Sequence, residues 1–262
     1  MTGPRSNAEW KAWGREDPLF GVASWPGRAK GDADAWNLDA FYAIGATDWR
    51  DCERRWRRYG LRPGACVEIG CGAGRMTKPL ATTFDEVVAL DVSEDMLAVA
   101  RANASAPGVS YRLTDGVTLA LEDASMTAAF STHVFQHFDD LSTARRYFRE
   151  IARVLTSGGT MMIHLPVHGW PSMPRLFDGL YRARKRVGDL RALVRQTLLA
   201  TGLGRPFMRG LSYPIAFFHD ELPALGLGDV DVVAFAPQNG AGTQAFVFAT
   251  RDPSRARTSA QE

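Results

Sequence analysis

The chain has 262 residues, of which 45% are hydrophobic and 23% charged, proportions typical of a globular protein with a buried core. Its formal net charge is only +2, so composition offers no strong argument for a nucleic-acid or membrane partner. No stretch approaches the roughly 20 apolar residues that span a bilayer, and we expect no transmembrane segment.

The three cysteines, Cys52, Cys66 and Cys71, are odd in number and lack the C-x-x-C spacing of zinc and redox sites. This pattern favours a reducing compartment, and no metal site is predicted. The first ten residues contain no positively charged segment that leads into an apolar run, so no signal peptide is predicted. We therefore expect a cytoplasmic protein.

The first 60 residues are rich in aromatic side chains and poor in strand signals. The run 39–58 has helical periodicity, with Asp48 as a candidate N-cap and Gly60 at the end of the helix. We predict that residues 1–60 form a helical, aromatic cap segment. Its aromatic residues either pack on the core or, in part, roof an active site.

From Ala65 onwards, apolar runs that predict strands alternate with helical patterns. Strands are predicted at 65–69, 86–90, 109–113, 128–134 and 160–165, with an amphipathic helix at 141–155 and a turn at 157–159. This alternation predicts a parallel sheet with right-handed crossovers. Two final strands, at 231–235 and 245–250, are separated by too few residues for a crossover helix, so they should be antiparallel.

The alternation stops after Pro166. Residues 167–212 are predicted to form a helical lid insertion above the sheet edge. Their basic stretch 182–199 is a solvated face, a site for an anionic acceptor or a membrane contact. The C-terminal part of the core follows at 213–252, and a polar tail at 253–262 is predicted to be disordered.

The central motif lies between the first predicted strand and the next helix, and reads Val67-Glu68-Ile69-Gly70-Cys71-Gly72-Ala73-Gly74-Arg75. In that context glycines let the chain turn tightly and let a ligand lie against bare backbone. The spacing is G-x-G-x-G. It is not the G-x-G-x-x-G of nicotinamide-binding proteins, because position 75 is Arg.

Asp91 ends the second predicted strand, about twenty residues after the glycine loop. A carboxylate at that place can accept hydrogen bonds from the 2′ and 3′ hydroxyls of a ribose. An isolated Asp after a strand is most often a turn residue or a helix N-cap. Together with the glycine loop, however, Asp91 predicts ribose binding.

With these features, the segment 61–251 resembles the class I methyltransferases that depend on S-adenosylmethionine (SAM). The resemblance rests on the glycine loop, on Asp91 with the following Ser93-Glu94-Asp95-Met96-Leu97, on Asp115-Gly116, and on Phe130-Ser131-Thr132-His133-Val134-Phe135-Gln136-His137-Phe138. It implies a Rossmann-like α/β fold with a seven-stranded sheet, mostly parallel with an antiparallel last strand. Helices would cover both faces, and 61–166 would be the SAM-binding core.

The resemblance also implies roles for residues of the loop. Gly70, Gly72 and Gly74 would frame the methionine part of SAM, and Glu68 would help to hold its amino group. Asp91 would bind the ribose.

Further along the chain, the resemblance implies that Met96 packs beside the adenine. Asp115 would accept a hydrogen bond from the exocyclic amine, with Gly116 allowing a close approach; a simple turn is the alternative for this pair. Phe135 and Gln136 would line the site beside the reactive methyl group.

SAM carries an activated methyl group and leaves as S-adenosylhomocysteine, so the protein mainly aligns the acceptor and excludes water. A general base is useful when the acceptor is a hydroxyl. His137 is the first candidate for this base, with a structural role as its alternative, and His168 is the second. His164 also falls near a strand end, whereas His133 is expected within the fourth strand.

The acceptor is predicted to be a small molecule with an oxygen or nitrogen nucleophile. Phe41, Tyr42 and Trp49 of the cap could close a pocket for an aromatic or apolar compound.

Three other functions compete with this prediction. A nucleic-acid methyltransferase is disfavoured, because Val134-Phe135-Gln136-His137 matches neither an Asn/Asp-Pro-Pro-aromatic motif nor a Pro-Cys motif. A nicotinamide oxidoreductase is disfavoured by Arg75 and the reversed last strand. A SAM-binding protein with altered chemistry stays open, because its binding loop would look the same.

Overall fold

The computed structural model of the chain describes residues 4–169, 210–237 and 242–255, together with Val194 and Met208. Most of the predicted insertion at 167–212 and most of the tail lie outside the described residues, so neither prediction can be compared with the structure there. Residues Pro253–Arg255 of the tail form a 3-10 turn. No helix in the described ranges is long and apolar enough to cross a membrane.

Helices and strands alternate through the described chain. The helices are α1 (Ser6–Glu16), α2 (Pro18–Val22), α3 (Leu38–Tyr59), α4 (Thr77–Leu80), α5 (Glu94–Asn103), α6 (Leu141–Val154) and α7 (Ile215–Ala224). The strands are β1 (Ala65–Ile69), β2 (Glu86–Asp91), β3 (Val109–Leu113), β4 (Met126–Ser131), β5 (Leu155–His168), β6 (Tyr213–Pro214), β7 (Leu227–Phe235) and β8 (Gln244–Arg251).

The strands form one mixed sheet in the order β3-β2-β1-β4-β5-β8-β7, with the two-residue β6 beside β5. Strands β1 to β5 pair in parallel. The last strand, β8, is antiparallel to both of its neighbours, β5 and β7. The predicted fold class, a mostly parallel sheet with a reversed last strand, is confirmed.

Helices cover both faces of this sheet because each strand alternates its side chains between two apolar layers. In β1, Val67 and Ile69 belong to the core cluster under α6 and α7. Cys66, which precedes them and lies on the opposite face, belongs to the cluster under α3. Apart from Glu68, the buried residues of β1 are therefore apolar on both faces, as expected for a central parallel strand.

The cap helix α3 is fixed to the sheet by Trp56, whose side chain is fully buried. The indole stacks on Phe130 with ring centroids 5.9 Å apart and lies 5.8 Å from the Phe84 ring. Its Nε1 donates a 2.9 Å hydrogen bond to Oγ1 of Thr160 in β5. A buried indole with its one polar atom satisfied contributes strongly to stability.

The start of α3 differs from the sequence prediction. The helix begins at Leu38, where the side chain of Asn37 accepts a 2.8 Å hydrogen bond from the backbone N–H of Ala40. Asp48 is not an N-cap but lies in the middle of the helix. Asn37 lies outside the predicted helical run, which began two residues later, although Asn is a favoured cap residue.

The strands around the sheet centre also differ at their ends. β4 ends at Ser131 and not at 134, because His133 adopts a positive φ of 61° that a strand does not allow. β5 begins at Leu155, so the predicted turn at 157–159 lies within the strand. The pairing of β4 with β5 shifts register there, between Met126 and Ala128. The glycines thus form an irregularity in a continuing strand.

Candidate functional site

A cavity of about 670 Å³ lies at the C-terminal ends of β1, β2 and β4, the edge where open α/β sheets bind ligands. One part, the loop arm, is lined by residues of the glycine loop and of the segments that follow β2 and β3: Gly70, Gly72, Asp91, Met96, Thr114, Gly116 and Leu119. The other part, the cap arm, is lined by α3, Arg75, histidines and β-strand aromatics: Ile44, Asp48, Asp51, Arg55, Arg75, His133, His164, Phe235 and Phe246.

The glycine loop turns tightly and is closely covered. Gly70 and Gly72 have φ values of 72° and 53°, a region that glycine enters without steric cost. A Cβ on Gly70 would lie 2.3 Å from Cγ2 of Val134, and one on Gly72 would lie 2.4 Å from Cγ2 of Val22. The backbone is bare at these two positions because its neighbours leave no room for a side chain.

Gly74, predicted to frame the ligand with the other two glycines, is not among the lining residues. Its φ is 81°, and a Cβ there would lie 2.8 Å from Cβ of Ala104 and 3.1 Å from Cβ of Ala100. Gly74 therefore allows the loop to pack against α5, which is a structural requirement.

Asp91 lines the loop arm and is nearly buried. Its Oδ2 accepts a 2.8 Å hydrogen bond from the backbone N–H of Gly72, and its Oδ1 accepts one of 2.9 Å from Ser93. Burial raises the pKa of this carboxyl, and the backbone hydrogen bonds oppose the increase. Because a carboxylate offers about four acceptor positions, each oxygen keeps one for a ligand.

Glu68, predicted to face the loop and to help hold the amino group of SAM, is not among the lining residues of the cavity. It is buried, and its Oε2 accepts a 2.5 Å hydrogen bond from Oγ1 of Thr77. Burial raises the pKa of Glu68 to about 7, although Thr77 and Arg75 lower it in part. Through this hydrogen bond, Glu68 connects the end of β1 to the start of α4.

We expect Glu68→Gln to stabilise the protein by about 2 kcal/mol at pH 8. The folded pKa of about 7 lies above the usual 4.5, so the native state becomes less stable as pH rises through this window and ionisation is forced on a buried group. Below pH 4.5 the gain should vanish. Urea unfolding across this range measures it. Glu86→Gln, at an exposed carboxylate of β2, is the control and should show no such pH-dependent gain.

The end of β3 was predicted to hold an adenine through Asp115. Instead, Oδ1 of Asp115 accepts 2.8 Å hydrogen bonds from the backbone N–H groups of Val117 and Thr118, and Oδ2 accepts one from Oγ1 of Thr118. Asp115 is not among the lining residues, whereas Gly116 is. These hydrogen bonds form the turn that was the alternative prediction for the pair, and the role of Asp115 toward an adenine stays a prediction.

After β4, a 3-10 turn (Phe135–His137) places some side chains in the core and others in the cavity wall. Phe135, predicted to line the site, is fully buried in the core against Phe148, with ring centroids 5.1 Å apart. Gln136 and His137 do line the cavity. Nε2 of Gln136 lies 3.0 Å from Nε2 of His137, and because an amide nitrogen only donates, the ring nitrogen accepts.

Helix α1 roofs this turn and the end of β3. The carboxylate of Asp139 accepts hydrogen bonds from the backbone N–H groups of Arg5 and Ser6 at 2.7 and 3.1 Å. The amide of Asn7 donates to the carbonyl of Asp115 at 2.8 Å. The Trp10 ring meets the His137 ring edge-on, with centroids 4.8 Å apart. The first turns of the chain thus close the loop arm from above.

Helix α3 lines the cap arm with a different face from the one predicted. The predicted pocket aromatics Phe41, Tyr42 and Trp49 are all buried and are not lining residues. Tyr42 donates to the carbonyl of Ala73 at 2.8 Å, and the Trp49 ring meets the Phe130 ring at 5.5 Å. These aromatic residues dock the helix. The face turned to the cavity carries Ile44, Asp48, Asp51, Cys52 and Arg55.

The cap arm contains a charged and aromatic cluster in which Arg75 and His164 are buried and the other charged side chains are partly exposed. Nη1 of Arg75 bonds to Oδ2 of Asp48, and Arg55 bonds to Asp51 at 2.7 Å. The rings of His133 and His164 meet with centroids 4.3 Å apart. His168, the second predicted base, lies outside the lining set at the end of β5, with Nδ1 3.0 Å from Oγ of Ser212.

A family model described as "Methyltransferase domain" matches residues 67–163. Among curated relatives, a malonyl-[acyl-carrier protein] O-methyltransferase of Pseudescherichia vulneris is 29% identical over 164 residues, which cover 63% of this chain and 62% of that protein. A ubiquinone biosynthesis O-methyltransferase of Sinorhizobium medicae is 29% identical over 116 residues, or 44% of each protein. The chain therefore spans less than two thirds of these relatives.

Solved structures agree in fold. A putative methyltransferase of Bacillus halodurans superposes with a TM-score of 0.53 and 15% identity, over 82% of this chain and 99% of that one. Residues 67–163 thus match a methyltransferase domain, and the fold is that of the class I SAM-dependent methyltransferases. The cofactor of the family is SAM.

The residues of the loop arm fit the cofactor of a class I methyltransferase. Asp91 keeps one acceptor position on each oxygen for the hydroxyls of a ligand, and Gly70 and Gly72 line the cavity beside it. Met96 and Gly116 line the far end, where an adenine ring would need an apolar surface and a close backbone. The volume of the whole cavity suits a ligand of this size together with a small acceptor.

Sequence reasoning missed several residues of this methyltransferase site. Asn7 and Trp10 precede the recognised family motifs, and nothing in their spacing indicates α1. Asp48 was interpreted as a helix cap and Arg75 only as the absence of a glycine. Asp48 could have been recognised from the polar stripe of α3, because this stripe repeats with the same helical period as the apolar face that packs on the sheet.

Proposed function

We propose that this chain transfers the methyl group of SAM to a small-molecule acceptor. The observation that carries this proposal is the continuity of the cavity from Asp91 in the loop arm to His164 in the cap arm. Bound SAM supplies a methyl group activated by its sulfonium. The chain has only to hold an acceptor in the adjoining space and exclude water, which accounts for much of the rate in such reactions.

The residues divide this work between the two arms. Asp91 would bind the ribose, Gly70 and Gly72 would pack against the methionine part, and Met96 with Gly116 would hold the adenine. The family resemblance and the geometry of the loop arm support these roles.

His137 is better suited to a structural role than to that of a general base. Its Nε2 lone pair, which a base needs, already accepts a hydrogen bond from Gln136. Trp10 lies against the same ring. We propose that Gln136 and His137 form the cavity wall beside the methyl group and hold α1 in place.

A small acceptor fits better than a nucleic acid. α1 and α3 cover the cavity from two sides, so an acceptor must enter a partly enclosed space. Two of the relatives are named as O-methyltransferases, which supports an oxygen nucleophile. The unpaired state of all three cysteines supports a reducing compartment such as the cytoplasm.

The proposal is tested by measuring S-adenosylhomocysteine formation with wild-type protein, SAM and two sets of acceptors. One set contains aromatic alcohols and amines, and the other contains transfer RNA and duplex DNA. Turnover with small acceptors alone is the expected result. Turnover with nucleic acid alone would contradict it, and tight SAM binding without turnover of either set would favour a protein of this fold with altered chemistry.

A further inference from the structure

The cap arm contains polar groups that the proposed contacts with the cofactor do not use. Nδ1 of His164 is the clearest of them. The residue is 4% exposed, lines the cavity, and within the described residues this nitrogen has no hydrogen-bond partner. A buried imidazole nitrogen without a partner loses its hydration and gains nothing in return. An unsatisfied atom of this kind, in a residue that lines a cavity, indicates a ligand with a complementary polar group.

His133 stands beside His164 in an unusual conformation. Its φ of 61° is a left-handed backbone that costs a non-glycine residue free energy, and such residues cluster at ligand sites. The turn directs the ring into the cavity, where it is open to the cavity space and 4.3 Å from the His164 ring. The strain is therefore associated with the placement of a second imidazole in the cap arm.

Both imidazoles are neutral near physiological pH. Burial lowers the pKa of His164 to about 4, and the charge of Arg75 acts in the same direction. The protein around the ring also lowers the pKa of His133 well below its usual value, and the nearby His164 and Arg75 act in the same direction. A neutral imidazole nitrogen either donates or accepts, depending on the tautomer, and a hydroxyl satisfies both cases because it does both.

The charges around the cap arm argue against an ionic ligand. Arg75 is paired with Asp48 and Arg55 with Asp51, so the described side chains of this arm offer two ion pairs and no surplus cation or anion. A carboxylate or an ammonium ligand would have to displace one of these pairs. A neutral polar group can bind without breaking either pair.

A flat apolar surface lies next to the histidines. The rings of Phe235 and Phe246 are stacked, with centroids 5.3 Å apart and planes at 24°. The His164 ring lies 5.3 Å from Phe246 and 5.9 Å from Phe235. Arg55 sits over Phe246 with its guanidinium carbon 5.5 Å from the ring centroid. Such a wall accepts an aromatic ring by stacking or edge contact.

We propose that the cap arm is the acceptor subsite and that it binds a neutral aromatic alcohol, with the ring against Phe235 and Phe246 and the hydroxyl hydrogen-bonded to Nδ1 of His164. This inference rests on the proposed function, since it assigns the acceptor for the same cavity. His133 closes the subsite toward the loop arm. The assignment concerns binding and orientation of the acceptor.

The test uses 1-naphthol, naphthalene and 1-naphthoate as probes. Each is titrated by calorimetry into protein saturated with S-adenosylhomocysteine. For the wild type we expect 1-naphthol to bind at least about tenfold more tightly than the other two. His164→Phe keeps the ring shape and removes the nitrogen, and it should weaken 1-naphthol about tenfold while leaving naphthalene unchanged.

Two further variants sharpen the result. His164→Asn places an amide near the position of Nδ1 and should restore part of the preference for 1-naphthol. His219→Phe makes the same chemical change at an exposed position of α7, outside the lining residues, and should leave all three affinities unchanged.

Failure of this inference and failure of the proposed function give different results. Equal affinity for 1-naphthol and naphthalene, tighter binding of 1-naphthoate, or no effect of His164→Phe would overturn the subsite while SAM binding stays intact. If the wild type binds neither SAM nor S-adenosylhomocysteine, the proposed function itself is overturned. Unchanged binding of S-adenosylhomocysteine by His164→Phe shows that the variant is folded.

Discussion

Replacing Asp91 by alanine is expected to weaken SAM binding about 100-fold or more, which corresponds to about 2.7 kcal/mol. The variant loses the two acceptor positions that Asp91 keeps for the ribose. It also loses the hydrogen bonds from Gly72 and Ser93, which hold the glycine loop against the end of β2. Calorimetric titration of SAM into wild type and variant measures the change.

Asp95→Ala is the matched control, because it removes the same charge from an exposed position four residues later. It should leave SAM affinity within about twofold of wild type. A parallel titration with NADH tests the competing cofactor. SAM affinity that is indifferent to Asp91, or NADH binding in place of SAM, would contradict the assignment of the loop arm.

Trp56→Ala is expected to destabilise the protein by about 4 kcal/mol. The change removes a fully buried indole between Phe84 and Phe130 and leaves Oγ1 of Thr160 without its donor. Since Trp56 fixes α3 to the sheet, and α3 carries one wall of the cap arm, binding of an aromatic acceptor should weaken as well. Urea unfolding at neutral pH measures the stability.

Trp25→Ala serves as the control, since it deletes the same side chain at a position that is 49% exposed. Its effect should stay below about 1 kcal/mol. Equal destabilisation by the two variants would show that α3 is not held by the indole packing described above.

The sequence predicts the core of this fold well because each decisive signal is local. Five apolar runs, three of them followed by helical patterns, indicate a parallel sheet, and the short connection before β8 requires a reversed strand. The predicted ends of β4 and β5 were wrong where local sequence signals mislead. Gly158 and Gly159 are typical of a turn but lie in an irregular part of β5, and His133 ends β4 by a positive φ that its residue type does not announce.

The candidate site likewise contains some residues that the sequence places correctly and others that it does not. Gly70, Gly72 and Asp91 meet because consecutive parallel strands end at one sheet edge, so their spacing along the chain is sufficient to bring them together. Gly74, Asp115 and Phe135 also match the family pattern, yet Gly74 packs on α5, Asp115 closes its own turn, and Phe135 enters the core. A motif specifies the path of the backbone, but the neighbours of each side chain determine where it points.

By itself, the sequence determined the sheet, the reversed last strand and the meeting of the glycine loop with Asp91, because these follow from periodicity and from contacts at strand ends. The tertiary structure alone decided which face of α3 reaches the cavity, that α1 roofs it, and that Arg75, His133 and His164 meet beside Phe235 and Phe246. These contacts join residues tens to more than a hundred positions apart in the chain. They depend on how elements pack, a property that no local pattern encodes.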